Sequence, residues 1–153
     1  MSMEIQDSSA ETLRHIKRVN ELLMNVVVDL IQRGKFHDAS KLEGVEKALF
    51  DEYTPKLRAA TYNSPEYKKF LEDLKPALAH HYAKCRHHPE HYKNGVNDMS
   101  IIDVLEMFLD WKASSERQND GNIRTSLEIN SNKFNIDTQL RQILENTINY
   151  LGW

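Results

Sequence analysis

The division of this chain into helices depends on one stretch, Arg33–Leu42, with the sequence RGKFHDASKL. Its glycine, Gly34, predicts the end of a first helix, and the segment after it predicts the start of a second helix near His37. The stretch also sets an imidazole beside a carboxylate, in the pair His37-Asp38. Both side chains are ligands for divalent transition metals. Because neighbouring positions on a helix point about 100° apart, the pair can bind one ion only with ligands from other helices.

Apolar residues on both sides of this stretch recur at helical spacing, which predicts an all-α fold. The predicted helices cover about residues 9–33, 37–53, 65–74, 78–85, 98–118 and 136–151. Thr54-Pro55 is expected to end or redirect the second helix, and Pro76 to kink or break the third. Residues 119–135, rich in Asn, Ser and Asp, are expected to form a loop with one short helical turn at most. No segment has the sustained alternation that predicts a β-strand.

Length and composition favour one globular domain. The 153 residues are enough for a hydrophobic core, so we expect a single compact helical domain over 1–153 with five to seven helices. Its core is expected at about 9–118, with the helix at about 136–151 packed on it. The net charge of −3 argues against a general binder of nucleic acid or of anionic membranes.

The distribution of cysteine and of apolar residues indicates a cellular location. Cys85 is the only cysteine, so an intrachain disulfide is excluded and a reducing compartment fits. No apolar run approaches the roughly 20 residues of a membrane span. The polar, acidic N-terminus lacks the apolar segment of a signal peptide. We therefore expect a cytoplasmic protein that does not bind membranes.

Side chains that bind metals occur in four separate parts of the chain. Five of the seven histidines lie between His80 and His91, flanked by apolar and aromatic residues rather than by low-complexity sequence. The predicted helix at 98–118 is apolar nearly all round, as buried helices are, yet it carries three carboxylates at spacings of three and four. Burying those carboxylates without cations would be costly. The candidate ligands are His15, His37, Asp38, the histidines of residues 80–91, and Asp103, Glu106 and Asp110.

Each of these features also has a purely structural interpretation. His15 borders the apolar face of the first helix and is consistent with a partly buried histidine bonded to a neighbouring group. The histidine-rich segment is consistent with a polar, solvated surface. The three carboxylates are consistent with a solvent-exposed face whose charges pair with Lys112 or Arg117. Residue spacing alone leaves these alternatives open.

The order His, His-Asp, His and Asp on an all-helical background resembles the HD-domain superfamily of metal-dependent phosphohydrolases. The resemblance covers about residues 13–117. It is carried by three segments: HDASK at 37–41, HHPEHYKNG at 87–95, and EMFLDW at 106–111. More narrowly, this combination is similar to a small, poorly characterised HD-like family of bacteria and phages.

The resemblance implies a metal centre with one or two ions. A first ion would be held by His15, His37, Asp38 and Asp110. A second would be held by His81 together with His87 or His88, with Asp38 bridging the two ions. Asp103 is the alternative to Asp110, and His80 is the alternative to His81, because the doubled histidines and the three carboxylates leave the register open. His15 also precedes His37 by fewer residues than in many members of the superfamily, which requires a tight connection.

The chemistry implied is hydrolysis of a phosphate ester such as a nucleotide. A bound divalent ion lowers the pKa of a bound water towards neutrality and stabilises charge on a phosphoryl oxygen. Imidazole ligands favour Mn, Fe, Co, Ni or Zn over Mg. Asp38 would act as the bridging ligand, Lys41 would bind the phosphate, and Glu106 would orient a metal-bound histidine. A lysine at position 41 is equally consistent with a solvated side chain or with a partner for an acidic residue.

Two other functions use the same residues. Some members of the superfamily hold a di-iron centre and are oxygenases rather than hydrolases. Alternatively, the chain is a non-catalytic HD-like module that binds a nucleotide or a partner protein. The ligand pattern by itself separates neither from a hydrolase, and the substrate, the metal and the oligomeric state are left open by the sequence.

Overall fold

The computed structural model describes residues 7–60, 64–117 and 121–153. In these residues it contains six α-helices, three short 3₁₀-helices and no strand. The α-helices are α1 Ser9–Phe36, α2 Gly44–Ala59, α3 Pro65–Lys84, α4 Ile101–Ser115, α5 Ile123–Phe134 and α6 Thr138–Leu151, and the 3₁₀-helices are Ala39–Leu42, Pro89–His91 and Gly95–Asp98. The all-α prediction with five to seven helices is confirmed. Within the described residues, no helix combines the length and the apolar character that crossing a membrane requires.

The chain divides into two compact units, residues 1–36 and 37–153. Helix α1 forms the described part of the first unit, and none of its residues is buried. It continues through Gly34, where the sequence predicted its end. A glycine inside a helix costs only about 1 kcal/mol relative to alanine, which is not enough to end one. The assignment of the whole chain to one domain stays a prediction.

The sequence predicted that the second helix begins near His37. In the structure, α2 begins later in the chain. Asp38 adopts the left-handed conformation, with φ 56° and ψ 13°, which interrupts a right-handed helix. Aspartate tolerates this conformation better than most residues because its side chain is short and polar. The 3₁₀-helix Ala39–Leu42 follows, and α2 begins only at Gly44, where φ is +53°. His37 and Asp38 therefore lie in a turn rather than on a helix.

Neither Pro55 nor Pro76 ends the helix in which it lies. Pro55 lies inside α2, which continues to Ala59, and Pro76 lies inside α3, which continues to Lys84. The prediction of a helix end at Thr54-Pro55 is therefore wrong. Helix α2 packs on α3, and the 3₁₀-helix Ala39–Leu42 packs on both. An internal proline costs about 3 kcal/mol, and tertiary packing of this kind can outweigh that cost.

The hydrophobic core lies between α4, α5 and α6. It is formed by Val104, Met107, Phe108, Trp111, Ile123, Leu127, Leu144 and Ile148. Helix α5 occupies most of the segment that was predicted to be a loop, so that prediction is wrong for Ile123–Phe134. The Asn122 side chain caps its first turn by accepting from the backbone N–H of Arg124. The predicted end of the preceding helix, at about residue 118, lies outside the described residues.

Candidate metal centre

Six of the predicted ligands lie together in the unit 37–153. Their ligand atoms form two groups, in each of which all the atoms lie within 4.8 Å of one another. The first group consists of Asp38, His81, His87 and His88. The second consists of His37, His87 and Asp110, so that His87 belongs to both. The turn before α2, the C-terminal half of α3, the segment after it and α4 supply these side chains.

Asp38 lies at the centre of the first group. Its Oδ2 accepts a hydrogen bond from Nζ of Lys41 at 2.6 Å. Its Oδ1 lies 3.1 Å from Nε2 of His81 and 3.4 Å from Nε2 of His87. Burial favours the neutral acid, but His81, His87 and Lys41 outweigh burial and lower the pKa of Asp38 below its ordinary value. The carboxylate is therefore ionised, as a metal ligand must be.

The imidazoles of the first group meet through their Nε2 atoms. Nε2 of His81 lies 2.9 Å from Nε2 of His88. Burial, together with the nearby rings of His87 and His81, lowers the pKa of His88 to about 3. His88 is therefore neutral at physiological pH and has a lone pair available for a metal ion.

The second group is built around His37. Its Nε2 lies 3.5 Å from Oδ1 of Asp110, and its Nδ1 lies 3.0 Å from Oε1 of Glu106. These two carboxylates, together with the charge of Asp38, raise the pKa of His37 to about 10 against the effect of burial. The pKa of Asp110 is lowered, because burial, which opposes its ionisation, is outweighed by His37. In the metal-free protein His37 is consequently an imidazolium that holds the carboxylates in place.

Glu106 connects the two groups. Its Oε1 lies 3.0 Å from Nδ1 of His37 and 3.2 Å from Nδ1 of His87. Burial opposes the protonation of His87, but Asp38 and Glu106 outweigh it and raise the pKa of that imidazole. Nδ1 of both rings thus faces one carboxylate oxygen, which leaves their Nε2 atoms directed at the ligand groups. This is the arrangement expected of a carboxylate that orients metal-binding histidines.

A carboxylate outside the predicted set of ligands lies behind His81. Glu46 on α2 is fully buried, and its Oε2 accepts from Oγ of Ser40 at 2.8 Å and lies 3.0 Å from Nδ1 of His81. Its Oε1 lies 2.6 Å from Nδ1 of His80. Burial opposes ionisation of Glu46, but His80, Ser40 and His81 together lower its pKa. A signal was present in the sequence, since position 46 lies four after Leu42 and three before Leu49, on the predicted apolar face of its helix.

The hydrogen-bond partners of Asp103 and Asp110 indicate which of these two aspartates of α4 is the candidate metal ligand. Asp103 is fully buried, and its carboxylate accepts hydrogen bonds from Arg86, from the backbone N–H of Ser100 and from the Ser100 hydroxyl. With Ser100 it forms the capping box that begins α4, two residues after the helix start that the sequence predicted at about residue 98. Asp110 instead faces His37. The geometry thus gives Asp103 a structural role and leaves Asp110 as the ligand candidate.

His80, Lys41 and His15, which were also predicted to take part in the site, belong to neither group of ligand atoms. His80 is bonded to Glu46 and its side chain is 40% exposed, whereas His81 is buried among the ligand atoms. Lys41 is paired with Asp38, the alternative that the sequence left open beside phosphate binding. His15 lies on α1, in the unit 1–36, with an exposed side chain, and neither group of ligand atoms includes it. Its role as a ligand stays a prediction.

If these residues bind a metal ion, some of their ligand atoms should lack hydrogen-bond partners within the protein. Oδ1 of Asp38 and Nε2 of His87 are buried, and neither has a hydrogen-bond partner among the described residues. Leaving a buried polar atom without a partner costs about 1–3 kcal/mol. A divalent cation would satisfy both atoms, and a set of imidazoles with carboxylates suits Mn, Fe, Co, Ni or Zn. The residues therefore fit a transition metal ion.

Comparison with known proteins identifies a family but no activity. Residues 4–150 match the family described as Family of unknown function (DUF5662). No curated protein and no solved structure gives a significant match to the chain.

Proposed function

We propose that this chain, which belongs to the DUF5662 family of unknown function, is a metal-dependent phosphohydrolase that acts on a phosphate ester, such as a nucleotide. The observation that carries the proposal is the group of Asp38, His81, His87 and His88, which includes two buried atoms without a hydrogen-bond partner in the described part of the chain. The resemblance of the segments at 37–41, 87–95 and 106–111 to HD-domain phosphohydrolases supports the same reaction.

The charge of the first group favours an anionic substrate. Asp38 contributes one negative charge, which Lys41 already balances at 2.6 Å. The three imidazoles are neutral when they act as ligands. The carboxylates of Glu46 and Glu106 face the Nδ1 atoms of His81 and His87, away from the Nε2 atoms that would bind an ion. A divalent ion at those Nε2 atoms would be a local positive charge, which would attract a phosphate and stabilise the charge that develops on it during transfer. This local charge supports a phosphate ester over a neutral substrate.

The two oxygens of Asp38 have different neighbours. Oδ2 is held by Lys41, so Oδ1 is the atom that faces the ligand groups. Oδ1 also lies 3.8 Å from Nε2 of His37, which belongs to the second group. Oδ1 is therefore the oxygen of Asp38 that would hold a metal ion. Lys41 fixes the carboxylate in this orientation, a role that it can have whether or not it also contacts the phosphate.

The chemistry that a bound ion supplies is the activation of water and the polarisation of the phosphoryl group. The residues of the chain prepare the site for it. Glu106 holds the rings of His37 and His87 through their Nδ1 atoms. The left-handed backbone of Asp38 turns its side chain beside that of His37, so that both reach one site from adjacent positions. Asp110 adds a second carboxylate, which suits a second ion.

The test begins with the metal content of protein purified without a histidine tag and without added metal. We expect about one or two divalent transition ions per chain, as the two ligand groups imply.

Nucleotides and generic phosphate esters are then screened for hydrolysis. Activity should be lost on chelation, restored by Mn²⁺ or Co²⁺, and absent from Asp38→Asn. The control variant Asp51→Asn, an exposed carboxylate paired with Lys47, should retain it. Protein without bound metal and without hydrolysis of any ester would instead support the non-catalytic binding module.

A di-iron oxygenase is the second candidate, because the two ligand groups are adjacent and share His87. The experiment that separates it from the hydrolase is anaerobic purification followed by iron analysis and electron paramagnetic resonance. Two irons with a mixed-valence signal, together with no hydrolysis of esters, would favour the oxygenase.

A further inference from the structure

Glu46 contacts the candidate ligand His81. Among the residues that the structure describes, it is the one carboxylate with such a contact that belongs neither to the resemblance nor to the two ligand groups. Its side chain is fully buried, on the α2 surface that packs against α3. A buried carboxylate is costly unless hydrogen bonds satisfy both of its oxygens. Here Oε1 faces His80 at 2.6 Å, and Oε2 faces Ser40 at 2.8 Å and His81 at 3.0 Å. The fold therefore holds this carboxylate in one orientation.

The contact with His81 determines which nitrogen of that ring is available to a metal. A neutral imidazole has one N–H, and an ionised carboxylate can only accept a hydrogen bond. With Nδ1 donating to Glu46, Nε2 is the nitrogen whose lone pair a neutral His81 would offer to a metal ion. Nε2 is the atom that lies 3.1 Å from Oδ1 of Asp38 and 2.9 Å from Nε2 of His88. Glu46 and the ligand group thus contact opposite nitrogens of one ring.

Ser40 supplies the third part of the arrangement. Its hydroxyl donates to Oε2 of Glu46 at 2.8 Å and lies 3.1 Å from Nδ1 of His81. The serine of the HDASK segment is therefore placed to hold the carboxylate rather than to bind an ion. The segment combines two candidate ligands, His37 and Asp38, with Ser40 and Lys41, which hold carboxylates by hydrogen bonds.

We infer that Glu46 is a positioning residue of the metal centre: held by Ser40, it fixes the His81 ring with Nε2 directed at the metal ion. This inference rests on the proposed metal-dependent function. A carboxylate behind a metal-binding histidine fixes its tautomer and orientation, and loss of such a partner weakens metal affinity by about 10- to 100-fold. Glu106 has the same relation to His37 and His87, so each of these three histidines donates its Nδ1 proton to a glutamate.

The experiment compares Zn²⁺ affinity in the full chain for the wild type, Glu46→Gln and a matched control, by competition with a chelator. The control is Glu52→Gln, which removes an exposed carboxylate from the same helix, where it is paired with Lys56. We expect Glu46→Gln to bind Zn²⁺ about 10- to 100-fold more weakly and Glu52→Gln to bind it as the wild type does. Equal affinity in all three proteins would overturn the inference while leaving the proposed function standing. Failure of the wild type to bind any of Zn²⁺, Mn²⁺, Fe²⁺, Co²⁺ and Ni²⁺ would overturn the proposed function and this inference with it.

A second readout separates positioning from a merely structural role. In the Zn²⁺-loaded wild type, nitrogen-15 NMR of the histidine rings should show His81 with a protected Nδ1 proton. In Glu46→Gln that proton should exchange with water faster, whereas the signals of His37 and His87 stay unchanged. Weaker Zn²⁺ binding with an unaltered His81 signal would overturn the inference.

If Glu46→Gln does not fold, Ser40→Ala provides the test, because it removes a bond to Glu46 but keeps the carboxylate. Ser40→Ala should weaken Zn²⁺ binding less than loss of the carboxylate, and an unchanged affinity would overturn the inference.

Discussion

Oδ1 of Asp38 and Nε2 of His87 lie 3.4 Å apart, both buried, and neither has a hydrogen-bond partner within residues 7–60, 64–117 and 121–153. A carboxylate oxygen and an imidazole nitrogen that face each other so closely require a shared proton or a shared cation. His81 and His88 bring two more Nε2 atoms to the same point. These four side chains lie close enough together to hold one metal ion, as the proposed function requires.

Removing the charge of Asp38 should abolish metal binding. In Asp38→Asn the amide loses the negative charge that balances the ion, and Lys41 loses its partner. Loss of a residue that only orients a ligand lowers metal affinity by up to about 100-fold. We expect the loss of Zn²⁺ affinity in Asp38→Asn to be larger than that. Isothermal titration calorimetry measures this, with Asp51→Asn as the control. Retention of wild-type Zn²⁺ affinity by Asp38→Asn would exclude this aspartate as a ligand.

Metal removal should lower the stability of the fold. The candidate ligands come from the turn before α2, from α3 and its following segment, and from α4, so a bound ion would connect parts of the chain that are distant in sequence. At a Zn²⁺ concentration of about 100 times Kd, the ion should add about 2.7 kcal/mol to the free energy of unfolding. For a chain of this size that corresponds to an increase in Tm of roughly 5–11 °C.

Differential scanning calorimetry with and without a chelator checks this prediction. A Tm that does not respond to chelation or to added Zn²⁺, Mn²⁺ or Co²⁺ would contradict a metal site formed by the folded chain. Mg²⁺ provides a control for nonspecific ionic effects, since imidazole is a poor ligand for it.

Metal binding should release a proton from His37. In the metal-free protein the carboxylates of Asp110 and Glu106 raise the pKa of His37 to about 10, so the ring is protonated at neutral pH. An ion bound to Nε2 must displace that proton, so affinity should rise as pH rises and weaken as pH falls. His88, with a pKa of about 3, is already neutral and should release none. Calorimetry in buffers of different ionisation enthalpy counts the protons, and the absence of any release near pH 7 would show that His37 is not a ligand.

The two aspartates of α4 should respond differently to the same substitution. Asp103→Asn breaks the capping box with Ser100 and the ion pair with Arg86, so it should lower the free energy of unfolding by about 1–3 kcal/mol. Its Zn²⁺ affinity should remain near that of the wild type. Asp110→Asn should instead weaken Zn²⁺ binding, because Asp110 faces His37 at 3.5 Å.

Denaturant unfolding of the metal-free proteins and Zn²⁺ titration of the same samples distinguish these outcomes. A reversed result, with Asp103→Asn losing metal and Asp110→Asn losing only stability, would transfer the ligand role to Asp103.

Several parts of the candidate site were accessible from the sequence. Asp38 and His81 were identified from a signature pair and a histidine-rich segment, and Asp110 was preferred because of the resemblance of the segment at 106–111. The structure brings all three into the ligand groups. Glu46 was missed, although its position on an apolar helical face was a signal. Helix α5 was missed because Ile123 and Leu127 are sparse apolar positions in a polar segment. Those residues are buried only when α4 and α6 pack beside them.

The amino-acid sequence by itself determined the all-α fold and the residue types of the candidate metal site. Helical periodicity is a local property, and the side chain alone sets whether a residue can donate a lone pair to a metal. Only the tertiary structure decided which of these residues have ligand atoms that meet. That decision depends on distances across tens of residues, such as that between Asp38 and His87, and on the partners that occupy the remaining atoms. Asp103 and Asp110 are chemically identical, and the contacts of the fold alone give one of them to Ser100 and Arg86 and the other to His37.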